Sequence, residues 1–264
     1  MTAPHQASAA QPETVALFVS DVHLQESMPR TTQAFLDFLQ HHASRTRQLY
    51  LLGDLFEYWA GDDDLDTPYL RQIVEALRQL SDAGVALFWL GGNRDFLVAE
   101  GFAEAAGATL LAEPYVTTIA GRKLTLVHGD AQCTDDVSYM AFRAQVRQPH
   151  WQQEFLRMPL AKRKAIIAGM RDQSRAAQRE KSYEIMDVNA AAIDALFDAT
   201  GAELLIHGHT HRPARHSYPA PGGERLRYVL PDWDCDTEAP RGGWIAITAD
   251  GAVRRIGLDG RELA

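Results

Sequence analysis

In the stretch LIHGHTHR, Leu205 to Arg212, the histidines His207, His209 and His211 stand at alternate positions directly after a short apolar run. Four earlier apolar runs also end on polar side chains, of types that can bind metal ions or phosphate: Asp21-Val22-His23 after VALFVS, Gly53-Asp54 after QLYLL, Gly92-Asn93-Arg94-Asp95 after VALFWL, and His128-Gly129-Asp130 after KLTLV. Asp, Asn and His offer oxygen and nitrogen donors without a thiolate, a set suited to manganese, iron or zinc and less to magnesium. A carboxylate can bridge two ions, and two ions roughly 3.5 to 4 Å apart can clamp the attacking and leaving oxygens of a phosphoryl transfer. Each piece alone is common. A strand-end Asp is more often a turn or helix cap, and a lone His128 is more often structural. All five in this order, each behind a strand-like run, reduce coincidence to roughly a few per cent.

Residues this far apart reach one centre only if strands carry them there. Ligands of an open α/β sheet collect outside the carboxyl ends of its strands. If the segments beyond the strands stay extended, residues two apart point the same way, so Asp21 with His23, and His209 with His211, each face one centre. ELLI before His207 is the fifth such run, and helical patterns at about 31 to 43, 68 to 83 and 188 to 199 alternate with the runs, which predicts an α/β fold. After Arg225 the runs RLRYVL, GWIAIT and AVRRI suggest a second sheet packed on the first. The stretch from about Val137 to Ser182, long, helical and basic, with Pro149 and Pro159 as breaks, reads as an inserted cap. Residues 1–14 lack the charged and apolar regions of a signal peptide and read as a disordered leader, leaving 15–264 as a single domain.

The chain has 264 residues and a net charge of −9, a balance that excludes a general nucleic-acid binder. From Arg143 to Lys181, however, ten Lys or Arg face three Asp or Glu. Such a segment suits phosphates or an anionic membrane surface; a solvated helix face is the alternative. Two cysteines, Cys133 and Cys235, exclude a disulfide scaffold and a thiolate zinc site and fit a reducing cytoplasm. No apolar run approaches the roughly 20 residues of a membrane-spanning helix, so any membrane association is expected to be peripheral.

The ordered set D-x-H, G-D, G-N, a later His and G-H-x-H resembles the calcineurin-like metallophosphoesterases over about Val15 to Arg212. The resemblance implies two packed mixed β-sheets flanked by helices, with two metal ions at one edge. Carried over by motif, one ion takes Asp21, His23, Asp54 and His211, and the other Asp54, Asn93, His128 and His209, with Asp54 as the bridge. The family motif begins at Gly208, so His207 falls outside the ligands and reads as a packed histidine or one that supports them. Arg94 stands where the wider family has a histidine assigned to the leaving group. Arginine is no general acid at ordinary pH, but its planar fork suits phosphate oxygens; a structural pair with Asp95 is the alternative.

GNRDF, GDLFEYWAGDDD, HGDAQCTDD, KSYEIMDVN and HGHTHRPA together are similar to one lineage of that family, the UDP-2,3-diacylglucosamine hydrolases of lipid A biosynthesis, from about Leu17 to the C-terminal strands. The resemblance implies hydrolysis of the UDP pyrophosphate at the α-phosphorus by water that two divalent ions, usually Mn2+, activate, yielding UMP and 2,3-diacylglucosamine 1-phosphate (lipid X). It implies Asp54, Asn93, Arg94 and His209 as catalytic residues and substrate contacts at Asn93, Arg94, Asp136, Ser174, Gln178, Lys181 and His209. The implied partners are a lipid-linked sugar nucleotide and, peripherally, the cytoplasmic face of the inner membrane. The lineage commonly has Asn where this chain has Gln178, and the longer amide keeps that contact only if its helix shifts. Ser174, Gln178 and Lys181 share one helical face, extended by Arg171, while Ile166, Met170 and Ala177 share another. That arrangement suits a headgroup and an acyl-chain groove; an ordinary surface helix is the alternative. Asp62 to Asp64 read as a solvated loop. Two other functions fit the motifs: the same chemistry on another nucleotide or phosphoester, and a non-catalytic module that kept the fold, against which the complete ligand set argues.

Overall fold

The computed structural model describes residues 13–180, 187–220 and 223–263, the side chains of 172–180 apart. Strands β1 (Thr14–Val19), β2 (Gln48–Leu51) and β3 (Ala86–Trp89) lie parallel, joined through helices α1 (Pro29–His41) and α2 (Pro68–Asp82). Ala16 and Phe18 of β1 enter one core while Leu17 and Val19 enter another. Burial on both faces is why these strands read as continuous apolar runs and not as an alternation. Helix α3 (Glu100–Ala106) and edge strand β4 (Ala108–Leu110) complete that side.

A second sheet starts with the hairpin of β5 (Tyr115–Ile119) and β6 (Arg122–Leu126). Helices α4 (Val137–Val146), α5 (Pro149–Leu156) and α6 (Leu160–Glu180) follow, with Pro149 in the first turn of α5, where its missing N–H costs nothing. Then come α7 (Ala190–Thr200), β7 (Leu204–His207), β8 (Ala214–Ala220), β9 (Gly223–Val229), β10 (Gly243–Thr248) and β11 (Val253–Gly257). The strand orders are β11-β10-β1-β2-β3-β4 and β5-β6-β7-β9-β8.

The strand-rich C-terminal end therefore does not form the second sheet, as its composition suggests. Only β9 joins it, whereas β10 and β11 return to the first sheet antiparallel to β1. The reason is two-sided burial: Ile245 and Ile247 of β10 enter the core between the sheets, while Trp244 and Ala246 pack on the helical side. Between the sheets Phe18, Tyr50 and Phe88 stack at 4.9 and 4.6 Å, and α7 covers the outer face of the second sheet with Ile193 and Phe197 on Val127 and Leu205.

Two smaller expectations are also corrected. Thr14 begins β1, and Glu13 pairs with Arg47 and accepts the Ala249 N–H, so these two residues belong to the domain; residues 1–12 of the expected leader lie outside the described residues. The run Asp62–Asp64 is not a solvated loop. Asp62 accepts the Trp59 indole N–H and the Ala99 and Phe102 amides, Asp63 pairs with the buried Arg163, and Asp64 takes Lys164 at 2.7 Å. Three carboxylates are retained there because each meets a donor from α3 or α6, which a one-dimensional charge pattern does not display.

Candidate metal centre

Because β1, β2 and β3 run parallel in one sheet and β6, β7 and β9 in the other, their carboxyl ends meet along one edge. The loops beyond them are tied by backbone bonds: Asp21 N–H to Gly53 O at 3.1 Å, His23 N–H to Asp54 O at 3.0 Å, and Gly208 N–H to His128 O at 2.9 Å. His209 N–H donates to Asp21 Oδ2 at 2.9 Å and so joins the two sheets. Gly208 permits this approach, since a Cβ there would lie 2.1 Å from Asp21 Oδ2 and from Ser20 Oγ.

These loops are not extended. Asp21, His23, Asp54, His209 and His211 have φ of 52, 53, 53, 66 and 54°, and among the described residues only Ala120 is a further non-glycine with positive φ. The left-handed conformation costs about 1 to 3 kcal/mol per residue and persists where the surroundings enforce it. An extended backbone would have paired His209 with His211; instead the two turn to different clusters, as the family motif implies, whereas Asp21 and His23, equally left-handed, share one.

Asp21, His23 and His211 form one cluster, in which the Nε2 atoms of the two histidines face each other at 3.2 Å and Asp21 Oδ1 lies 3.4 and 4.0 Å from those of His211 and His23. Asp54, His128 and His209 form the other, with His128 Nε2 3.6 Å from Asp54 Oδ1. Asn93 Oδ1 sits between its imidazoles, 3.0 Å from His128 Nε2 and 2.8 Å from His209 Nδ1. The residues fit divalent ions by one particular observation: Asp21 Oδ1 is buried, has no hydrogen-bond partner among the described residues, and points into a group of imidazole nitrogens. A buried acceptor without a partner is costly unless a cation or proton meets it, and the oxygen–nitrogen donor set suits a borderline divalent metal.

The electrostatics point the same way. Burial pushes the Asp21 carboxyl upward, but His211, His128 and His23 outweigh it and hold the group well below the usual range. Burial pushes His128 down, yet Asp54, Asp21 and Asp130 raise it to about 9. His209 is lowered to about 4 by burial and by His128.

Beside the clusters lie Asp95 and Asp130, which the sequence reading named without their roles, and Asp232, Glu113 and Glu57, which it missed. Asp95 is fully buried and accepts four backbone N–H groups, from Gly92 at 2.8, Asp54 at 3.1, Leu55 at 2.8 and Phe56 at 3.3 Å. Burial and the Asp54 charge push its carboxyl up to about 6. Asp232, two residues past Leu230 and thus another strand-end carboxylate, lies 3.5 Å from His211 Nδ1; its place after RLRYVL is the signal that could have found it. Glu113 accepts the His128 amide at 2.7 Å, Asp130 accepts Tyr139 Oη at 2.6 Å and Arg143 Nε at 2.8 Å, and Glu57 reaches His23. Burial raises the Glu57 carboxyl, but His23, Arg94 and Arg171 outweigh it and hold it at about 2.

Of the other expected site residues, Arg94 donates its backbone N–H to Asp54 Oδ1 at 2.8 Å, and its guanidinium makes no ion pair among the described residues. The alternative Arg94–Asp95 pair is therefore not formed, because backbone amides already take both oxygens of Asp95. Asp136 caps α4 by accepting Tyr139 N–H at 3.0 Å. His207 is packed, between Gly208 O at 2.9 Å and Arg227 Nη1 at 3.0 Å, and burial with Arg227 lowers it to about 3. Ser174 and Gln178 lie in α6, but their side chains, that of Ala177 and Lys181 as a whole are outside the described residues.

The profile of the family described as calcineurin-like phosphoesterase matches residues 15–213. Two curated proteins called UDP-2,3-diacylglucosamine hydrolase are similar over most of the chain. The one from Cellvibrio japonicus is 49% identical over 217 residues, covering 82% of this chain and 90% of its own. The one from Aromatoleum aromaticum is 49% identical over 243 residues, covering 92% and 96%. Among solved structures, wild-type Vps29 with zinc from Entamoeba histolytica aligns at a TM-score of 0.46 and 14% identity over 94% of this chain and 95% of that one.

Proposed function

The chain belongs to the calcineurin-like phosphoesterase family and, within it, to the UDP-2,3-diacylglucosamine hydrolases, and from that membership we propose that it cleaves the pyrophosphate of UDP-2,3-diacylglucosamine at the α-phosphorus, releasing UMP and 2,3-diacylglucosamine 1-phosphate. The observation that carries the proposal is the gathering of two donor clusters on one edge, with a buried, unpartnered Asp21 oxygen at the first.

Asp21, His23 and His211 would hold one divalent ion and His128, His209 and Asn93 the other, with Asp54 shared; manganese suits this mixed set. Two such ions, when bound, supply Lewis acidity toward the phosphoryl oxygens and make water a nucleophile near neutral pH. Asn93 and His209 within the second cluster, with Arg94 next to Asn93 in the chain, would stabilise negative charge developing on the phosphoryl group. The departing phosphate ester is already a good leaving group, so no strong general acid is needed where Arg94 replaces the family's histidine. The Arg94 guanidinium, without an ion pair among the described residues, remains available to phosphate.

The helices over 137–180 act as a cap. Val137, Phe142, Leu156 and Met170 are exposed on these helices, apolar side chains of the kind that acyl chains would meet, and Asp136, Ser174, Gln178 and Lys181 would meet the sugar and phosphates. Peripheral contact with an anionic inner-membrane face would fall to the remaining basic residues of this segment, since Arg143, Arg147, Arg163, Lys164 and Arg171 pair with carboxylates of the domain; among the described residues no helix is long and apolar enough to cross a membrane. The test is UMP release from the diacylated sugar nucleotide with and without Mn2+, beside simple phosphodiesters and phosphopeptides. Metal-dependent UMP release that Asp54→Ala abolishes is expected; turnover confined to the other substrates refutes the assignment.

A further inference from the structure

Glu57 lies three residues beyond Asp54, is 8% exposed, and its carboxylate is shared between two elements. Oε2 is 3.0 Å from Nδ1 of His23. Oε1 takes the guanidinium of Arg171, from α6, which also lies over the Tyr58 ring at 5.7 Å. The other nitrogen of the same imidazole, His23 Nε2, faces His211 Nε2 at 3.2 Å. One ring therefore has a carboxylate on one side and the donor cluster on the other. A carboxylate against Nδ1 favours the proton there, which leaves the Nε2 lone pair for a cation and fixes the ring plane.

The same stretch of chain anchors α6 at its other end. Arg163 is 2% exposed and donates to Ala60 O and Asp63, and Lys164 meets Asp64. The loop from Glu57 to Asp64 is thus the seat of α6, and Glu57 is the point at which that seat touches a metal donor.

We propose that Glu57 is a positioning residue that holds His23 in its ion-binding orientation and, through Arg171, couples the placement of α6 to an ion in the Asp21–His23–His211 cluster. The inference rests on the reading of those three residues as ligands. Coupling of this kind is reciprocal: if α6 helps to set His23, an ion on His23 tightens α6.

The experiment uses the full chain, stripped by chelation and titrated with Mn2+ by calorimetry without substrate, with amide hydrogen exchange of α6 followed in parallel. Loss of a carboxylate behind a metal-ligating histidine lowers affinity by about 10- to 100-fold. Glu57→Gln is expected to weaken one of two Mn2+ sites to that extent and leave the other unchanged. Arg171→Met should weaken the same site by a smaller factor, and the double variant should be less than additive because both act along one path. Mn2+ should slow exchange in α6 of the wild type and not of Glu57→Gln. Glu57→Gln that is folded by circular dichroism and binds both ions like the wild type overturns the positioning role. Unchanged affinity in Arg171→Met, together with α6 exchange that ignores Mn2+, overturns the coupling. Wild-type protein that takes up no Mn2+ overturns the ligand reading, and the inference with it.

Discussion

Asp95 allows a prediction in which unequal effects can be separated. Its Oδ1 accepts the Gly92 and Asp54 amides and its Oδ2 those of Leu55 and Phe56. Asparagine retains one oxygen and turns an NH2 toward the other pair, so two buried N–H groups lose their acceptor whichever way the amide lies. Alanine removes all four. Both substitutions also relieve the repulsion between this carboxylate and Asp54, which has the opposite sign, but that relief is common to both and cancels in their difference. The remaining difference is two buried backbone donors, each costing about 1 to 2 kcal/mol when orphaned, plus the small volume lost. Asp95→Ala should therefore be about 2 to 4 kcal/mol less stable than Asp95→Asn. With an m-value near 3 kcal/mol/M in urea, that separates their midpoints by roughly 1 M. The assay is urea unfolding of metal-free protein in chelator, followed by tryptophan fluorescence. Since Asp54 N–H is one of the four donors, both variants should also bind Mn2+ more weakly than the wild type. Coincident midpoints for the two variants, with undiminished Mn2+ affinity, would refute the assignment of Asp95 as the clamp of the Asp54 loop.

Three further outcomes follow from the geometry. Gly208→Ala places a methyl group 2.1 Å from Asp21 Oδ2 and Ser20 Oγ, so Mn2+ affinity and turnover should each fall at least about tenfold through displacement of a donor; wild-type titrations refute this. Arg163→Met keeps the stem but leaves the Ala60 and Met158 carbonyls and Asp63 without their donor, so stability should drop by about 2 to 4 kcal/mol and trypsin should cut between α5 and α6 before the sheets unfold. Asp236 supplies α1 with the cap that Met28 lacks, accepting Arg30 N–H at 3.1 Å and Thr31 N–H at 2.9 Å, and Asp236→Ala should cost about 1 kcal/mol at pH 7. Burial acts upward on this carboxyl, but the helix donors and Arg30 outweigh it, so its folded value lies below the ordinary 3.8. A depressed acid stabilises the fold fully above the unfolded value and loses that contribution as pH falls through the folded one. Unfolding midpoints of wild type and Asp236→Ala should accordingly converge below pH 3.8 and stay apart above it; a constant gap refutes the cap.

The sequence alone determined the strands that carry the site, because both-face burial leaves uninterrupted apolar runs and each run stops at a polar residue. It also determined the donor types, since Asp21, His23, Asp54, Asn93, His128, His209 and His211 are read directly as oxygen and nitrogen ligands. Residue spacing did not decide which donors share a cluster; the family motif implied it, and the tertiary structure supplies the contacts that bring it about. His209 and His211 part company, while Asp21 and His23 at the same spacing stay together, because each ring is placed by long-range contacts: His209 by its N–H on Asp21 Oδ2 and its ring against Asn93, His211 by Asp21 and Asp232. Tertiary structure decided the sheet to which β10 returns, and the partners of Asp95, Asp62 and Glu57. A buried carboxylate and a solvated one are the same letter; what distinguishes them is the donor brought in from a distant segment, which exists only once the chain has folded.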